Sequence, residues 1–123
     1  MARILLVEDD VDVRPVMEHV LLSAGYEIDA VATEADAREL LARVSYDLVI
    51  ADAKLPDGTG LTVADDAREN GTKALIITGY AFTLPHGAFE RYDVLLKPLR
   101  PTELLDVVAR YLGALPDSAA TGS

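Results

Sequence analysis

Residues 49–60, VIADAKLPDGTG, pass from an apolar run into a loop containing Pro56, Gly58 and Gly60, with one acid, Asp52, at the junction. A short continuous apolar run bounded by turn residues reads as a strand buried on both faces. An ionised carboxylate is costly to desolvate, so a charge at the end of such a strand implies a partner, a metal or a chemical task. The same form recurs in RILLVED (3–9), TKALIITG (72–79) and YDVLLKP (92–98), each expected as a buried parallel strand. YEIDAVA (26–32) alternates more and is expected nearer an edge.

Helical spacing fills the intervals. Val13, Val16, Met17, Val20, Leu21 and Ala24 mark one apolar face, which Gly25 closes. Ala37, Leu40, Leu41 and Val44 mark a second, with Thr33 as its N-cap. A weaker third helix runs over GLTVADDAREN (60–70) and stops at Gly71. The last has Pro101 in its first turn, an apolar face of Leu104, Leu105, Val108, Tyr111 and Leu112, and Gly113 at its end. Between Gly79 and the last strand, Pro85 and Gly87 leave room for only about two turns of helix near residues 86–92. Strand and helix therefore alternate five times, which predicts an α/β fold: a parallel sheet covered on both faces, with right-handed crossovers. In such sheets ligands bind beyond the carboxyl ends of the strands, where the strand order reverses.

The chain has 123 residues, enough for one domain and no second. Residues 1–113 are expected to fold, and 114–123, small and polar, to form a disordered tail or linker stub. The start of strand one immediately after Met1 fits a natural N-terminus. With no cysteine there is no thiolate metal site or Cys nucleophile. A net charge of −10 repels phosphate backbones and anionic lipid, so direct nucleic-acid or membrane binding is not expected. No signal peptide or membrane-length apolar run occurs, and the expectation is a soluble cytoplasmic protein.

The strand ends carry the chemistry: Glu8, Asp9 and Asp10 after the first, Asp52 after the third, Thr78 after the fourth, Lys97 after the fifth. If the first and third strands are neighbours, Asp9 and Asp52 share a pocket, and two such charges about 5 Å apart repel by roughly 3 kcal/mol at an effective dielectric of 20. A hard divalent cation neutralises them, and Mg²⁺ suits best, since it takes one or two carboxylates and accepts phosphate oxygens as further ligands. Lys97 adds a second positive charge and Thr78 a hydroxyl, so the Asp52 carboxylate could attack a phosphoryl group. Singly, each residue has an ordinary explanation: Asp10 or Asp12 as a helix cap, Thr78 as a β-branched strand residue, Lys97 as a solvated lysine. Their joint placement at four strand ends is what argues for a site. His19 and His86 have no ligand-spaced companions. No Gly-rich phosphate loop or Ser nucleophile elbow is present, and DAK (52–54) lacks the second Asp of an Asp-x-Asp phosphatase, so the chain does not read as an enzyme.

ILLVEDD (4–10), DLVIADAKLPDGTG (47–60), ALIITG (74–79) and LLKPL (95–99) together closely resemble the receiver domain of two-component response regulators, over residues 3–112. The resemblance implies a flavodoxin-like fold with strand order 2-1-3-4-5. It implies that Asp52 is the phosphorylated aspartate, Asp9 a direct Mg²⁺ ligand, Glu8 a contributor through water, and the Lys54 main-chain carbonyl the third protein ligand. Thr78 would be the hydroxyl that moves toward the phosphoryl group and Lys97 the lysine that pairs with it, preceding a cis bond to Pro98. Pro56, Gly58 and Gly60 match the loop after the acceptor. The implied donor is a histidine kinase or a histidine phosphotransfer protein.

Two departures matter. Many receivers carry a switch aromatic three residues before the lysine, where this chain has Val94, and Tyr92 stands two residues too early to replace it. IITGY (76–80) is partly similar to the Phe-Ala-Thr-Gly-Tyr segment of an atypical subgroup without the aromatic, with Ile77 in place of its Ala. The leading expectation is a stand-alone receiver that signals through a protein partner. The alternatives are a phosphate sink or relay intermediate, and a pseudo-receiver that works without phosphorylation. Lys54 and Tyr80, each two residues beyond a site residue, are expected to influence the phosphoaspartate lifetime.

Overall fold

The apolar runs pair as parallel strands in a computed structural model that describes residues 2–79 and 87–113. In chain order the elements are β1 (Arg3–Val7), α1 (Val13–Ser23), β2 (Glu27–Val31), α2 (Glu34–Arg43), β3 (Leu48–Asp52), β4 (Lys54–Leu55), β5 (Gly58–Thr59), α3 (Gly60–Glu69), β6 (Lys73–Thr78), α4 (Ala88–Arg91), β7 (Asp93–Leu96) and α5 (Pro101–Leu112). The main sheet has the order β2-β1-β3-β6-β7 with every pair parallel. Counting its five strands in sequence, this is the expected order 2-1-3-4-5.

Successive side chains of a strand point to opposite faces, so each buried strand feeds two cores. Leu5, Val7, Val49, Ala51 and Ile76 pack with Ala37 and Leu41 of α2 and with Val63, Ala64 and Ala67 of α3. Ile4, Leu6, Leu48, Ile50, Leu75 and Ile77 pack with Met17 and Leu21 of α1 and with Leu104, Val107 and Val108 of α5. Helices therefore cover both faces, and the central strands have no solvated side on which a charge would be cheap.

Local chemistry sets the helix boundaries. Thr33 caps α2 by accepting from the Asp36 amide at 3.1 Å. Asp10, rather than Asp12, closes the turn into α1, accepting from the amides of Asp12 (2.8 Å) and Val13 (3.1 Å). After α1 the chain turns at Gly25, whose φ of +97° disfavours residues with a side chain.

Three expectations need correction. The YDVLLKP strand is β7, an edge strand with Asp93 and Leu96 exposed and only Val94 and Leu95 partly covered. Val16, assigned to the buried face of α1, is 59% exposed. At 100° per residue it lies about 85° from the centre of the stripe that Val13, Met17, Val20, Leu21 and Ala24 define, so it falls on the margin. The fourth helix is a single four-residue turn, Ala88–Arg91, rather than two turns over 86–92, because Gly87, with φ +89°, starts it late. Within the loop after Asp52, β4 and β5 pair as a short antiparallel hairpin, Lys54 with Thr59 and Leu55 with Gly58. Tyr80, His86 and the tail from residue 114 lie outside the described residues. Among the described residues no helix is long and apolar enough to cross a membrane.

Candidate functional site

Strand pairing assembles the site. β1 and β3 align Val7 with Ala51, so the residues that follow, Glu8 and Asp9 on one side and Asp52 on the other, leave the sheet together. Carboxylate oxygens of Glu8, Asp9 and Asp52 lie within 4.8 Å of one another. β6 pairs with β3 and β7 with β6, where Thr78 aligns with Leu96, and the Lys97 amide donates to the Thr78 carbonyl at 2.9 Å. That register delivers the Lys97 side chain to the acids: its Nζ donates to Asp52 Oδ2 at 2.6 Å and stands 2.7 Å from Glu8 Oε1. The second contact is an ion pair between the ammonium and a fully buried carboxylate. The Lys97–Pro98 bond is cis, as the resemblance implied.

Glu8 is fully buried and Asp52 is 6% exposed, whereas Asp9 is exposed. The Asp10 amide reaches Glu8 Oε2 at 3.2 Å, the Arg14 guanidinium donates to the Glu8 carbonyl at 3.0 Å, and the Lys54 amide donates to Asp52 Oδ1 at 3.3 Å. Burial pushes the Glu8 carboxyl up to about 7, with the Lys97 ammonium opposing and Asp52 adding to the rise. Burial alone would lower Lys97, yet its contacts with Asp52 and Glu8 outweigh it and hold the ammonium above its ordinary range. Gly60 is needed for packing: a Cβ there would stand 2.1 Å from the Asp52 carbonyl oxygen.

A cleft of about 560 Å³ opens over these groups, lined by Asp9, Asp52, Lys54, Pro56, Gly79 and Lys97 among others. Glu8 and the 2%-exposed Thr78 are not among its lining residues. The strand-end residues singled out in the sequence are thus brought to one edge, with the Glu8–Lys97 ion pair as an unforeseen addition. His19 is an exposed residue of α1. Val94 is half-buried in β7, and the Tyr92 hydroxyl is committed to Asp65 of α3. Asp9 and Asp52 face the cleft with the buried Glu8 carboxylate beside them, and such a hard-oxygen donor set with open space next to it can hold a divalent cation and an anionic group together.

A doubly wound α/β domain with an acidic cleft beyond its central strands belongs to the class that binds ligands at the switch in strand order. The family model for the response regulator receiver domain matches residues 4–109, and the chain belongs to that family. It is 37% identical to the response regulator protein FleR of Pseudomonas aeruginosa, over 98% of this chain and 27% of FleR. It spans 25% of PilR from the same organism and 52% of protein PetR of Rhodobacter capsulatus, less than two thirds of each. Among solved structures, the receiver domain of the sensor histidine kinase PA1611 of Pseudomonas aeruginosa, with a magnesium ion coordinated in its active-site cleft, superposes with a TM-score of 0.81 at 28% identity, covering 92% and 98% of the two chains. The response regulator TrrA of Thermotoga maritima, in complex with Mg²⁺–BeF, gives a TM-score of 0.78 at 31% identity over 90% and 99%. TrrA has also been solved in complex with the histidine kinase ThkA, in a structure with a chain that matches at a TM-score of 0.80, 29% identity and coverage of 92% and 100%. The protein is therefore a receiver domain of two-component signalling with an acidic pocket formed by Glu8, Asp9 and Asp52.

Proposed function

We propose that Asp52 is the phosphoryl acceptor and that the signal leaves this domain through a protein partner. The observation that carries the reading is the convergence of Glu8, Asp9 and Asp52 within 4.8 Å, with Lys97 Nζ 2.6 Å from the Asp52 carboxylate. The donor would be the phosphohistidine of a histidine kinase or of a histidine phosphotransfer protein. One Asp52 carboxylate oxygen attacks phosphorus, the P–N bond breaks, and its electron pair returns to the imidazole nitrogen, leaving an acyl phosphate on Asp52.

The donor set fits Mg²⁺: Asp9, Asp52 and the Lys54 main-chain carbonyl would hold it, with Glu8 acting through water. When bound, the cation supplies positive charge toward the transferred oxygens. Lys97 supplies a second, preorganised positive charge. Thr78, at the end of β6 next to Gly79, offers the hydroxyl that would bond the phosphoryl group after a local shift. The domain itself would run to residue 113 and work in the cytoplasm, as a non-enzymatic signalling module. Lys54 lines the cleft and would tune the lifetime of the phosphoaspartate.

Incubation with a small acyl phosphate and Mg²⁺ tests the reading by intact mass. One phosphoryl group is expected on the wild type and none on Asp52→Ala or in chelator. A wild type unlabelled by both a phosphodonor and a phosphoryl mimic would refute it.

A further inference from the structure

The metal ligand implied in the loop after Asp52 is a main-chain carbonyl, so its position depends on whatever holds that loop. The loop is the β4–β5 hairpin, a ladder of two residue pairs, Lys54 with Thr59 and Leu55 with Gly58. A two-residue ladder does not stand by itself in water and needs outside anchors. One is Leu55, 5% exposed in the core beneath α2 and α3. The other comes from the start of α2, more than twenty residues earlier in the chain.

There the contacts are reciprocal. The two carboxylate oxygens of Asp57, in the hairpin turn, accept from the amides of Glu34 (2.8 Å) and Ala35 (3.0 Å), two donors that the first turn of a helix leaves unpaired. In return Glu34 Oε1 accepts from the Thr59 amide at 3.1 Å. Thr59 is the residue paired with Lys54, and its hydroxyl also caps α3 through the Leu61 amide at 2.8 Å. The fit is close: a Cβ on Gly58 would meet Glu34 Oε1 at 2.1 Å. The Ala35 and Glu34 amides hold the Asp57 carboxyl below its ordinary range, as expected of a carboxylate bonded in its charged form.

We propose that Glu34 and Asp57 are positioning residues for the phosphoacceptor site: by clasping the hairpin to the N-terminus of α2 they fix the main chain of Lys54 at the cleft. The inference rests on the reading of that cleft as a Mg²⁺ site. Neither residue touches the acids of the site, so both act through the Lys54–Thr59 pair. Residues that orient metal ligands from behind carry roughly 10- to 100-fold in metal affinity.

The test is Mg²⁺ titration of the full chain by NMR, with amide exchange of the metal-free protein as an independent readout. Glu34→Ala should weaken Mg²⁺ about 10-fold and release the Thr59 amide to exchange. Glu34→Gln keeps the Oε1 acceptor while removing the charge, and should stay within about twofold of wild type with Thr59 still protected. Asp57→Ala should likewise weaken Mg²⁺ and free the Glu34 and Ala35 amides. Equal weakening by Gln and Ala would make the effect one of long-range charge and overturn the proposal, as would unchanged affinity in both Ala variants. If those variants fail to fold, fast exchange of the Thr59 amide in the wild type would still refute it. A wild type that does not bind Mg²⁺ at all would instead refute the underlying reading of the cleft.

Discussion

The two ends of the sheet hold their carboxylates in opposite ways. Toward the amino ends of β1–β3, Asp29 accepts from Arg3 Nε at 3.1 Å, from Arg3 Nη2 at 2.9 Å and from the Tyr46 hydroxyl at 2.7 Å, and the Arg3 guanidinium also lies 5.7 Å from the Tyr46 ring centroid. At the opposite edge of the sheet, at the amino end of β7, Asp93 accepts from the Tyr111 hydroxyl at 2.6 Å, and Lys73 Nζ donates to the Tyr111 carbonyl at 2.7 Å. Both acids are held by donors of the protein itself, Asp29 by a guanidinium and a hydroxyl and Asp93 by a hydroxyl. At the carboxyl ends, Glu8 and Asp52 both lean on Lys97, and Asp9 brings a third carboxylate within 4.8 Å. Acids satisfied by neutral and cationic donors fasten strands together, whereas crowded acids next to an open cleft are poised for a cation and an anionic group.

Substitutions can break or sharpen that contrast. The largest effect is expected from Lys97→Ala, which removes the positive charge beside Asp52 and should slow phosphorylation by roughly 100-fold, as loss of a preorganised electrostatic donor does; stopped reactions read by intact mass measure it. At the other end, Tyr46→Phe deletes one hydrogen bond to Asp29, which retains Arg3. It should cost about 1 kcal/mol in denaturant unfolding and leave the phosphorylation rate unchanged.

Asp57→Ala should lower the melting temperature by a few degrees at neutral pH. Because the folded-state pKa of Asp57 is depressed below the ordinary 3.8, its contribution is present above that value and is lost as pH falls through the folded one. Melting scans should show the gap between variant and wild type narrowing below pH 3.8. The smallest effect belongs to Arg91→Ala. Its pair with Asp65, at 3.2 Å and about half exposed, should be worth no more than about 0.5 kcal/mol.

The division between legible and illegible features follows the range of the interactions. Sheet and helices could be read because burial on two faces forces long apolar runs, as in VIAD, and because a one-sided helix forces periodicity, as at Leu104 and Val108. The gathering of Asp9, Asp52, Thr78 and Lys97 at one edge of the sheet could be read because each stands at the end of such a run, so chain position gives spatial position. The exposure of Val16 and of the β7 edge could not, since an apolar residue at the margin of a stripe carries no mark of it. The clasp of Glu34 on Thr59 was hidden for another reason. It joins residues 25 apart through side-chain-to-backbone bonds, which impose no pattern on composition or period.

Mapping the modified residue tests the central claim most directly. The phosphorylated chain is treated with borohydride, which reduces an acyl phosphate to the alcohol, and its peptides are sequenced by mass. Reduction is expected at Asp52 alone. Reduction at Asp9, Glu8 or any other carboxylate, or a phosphorylated chain that shows none, would contradict it.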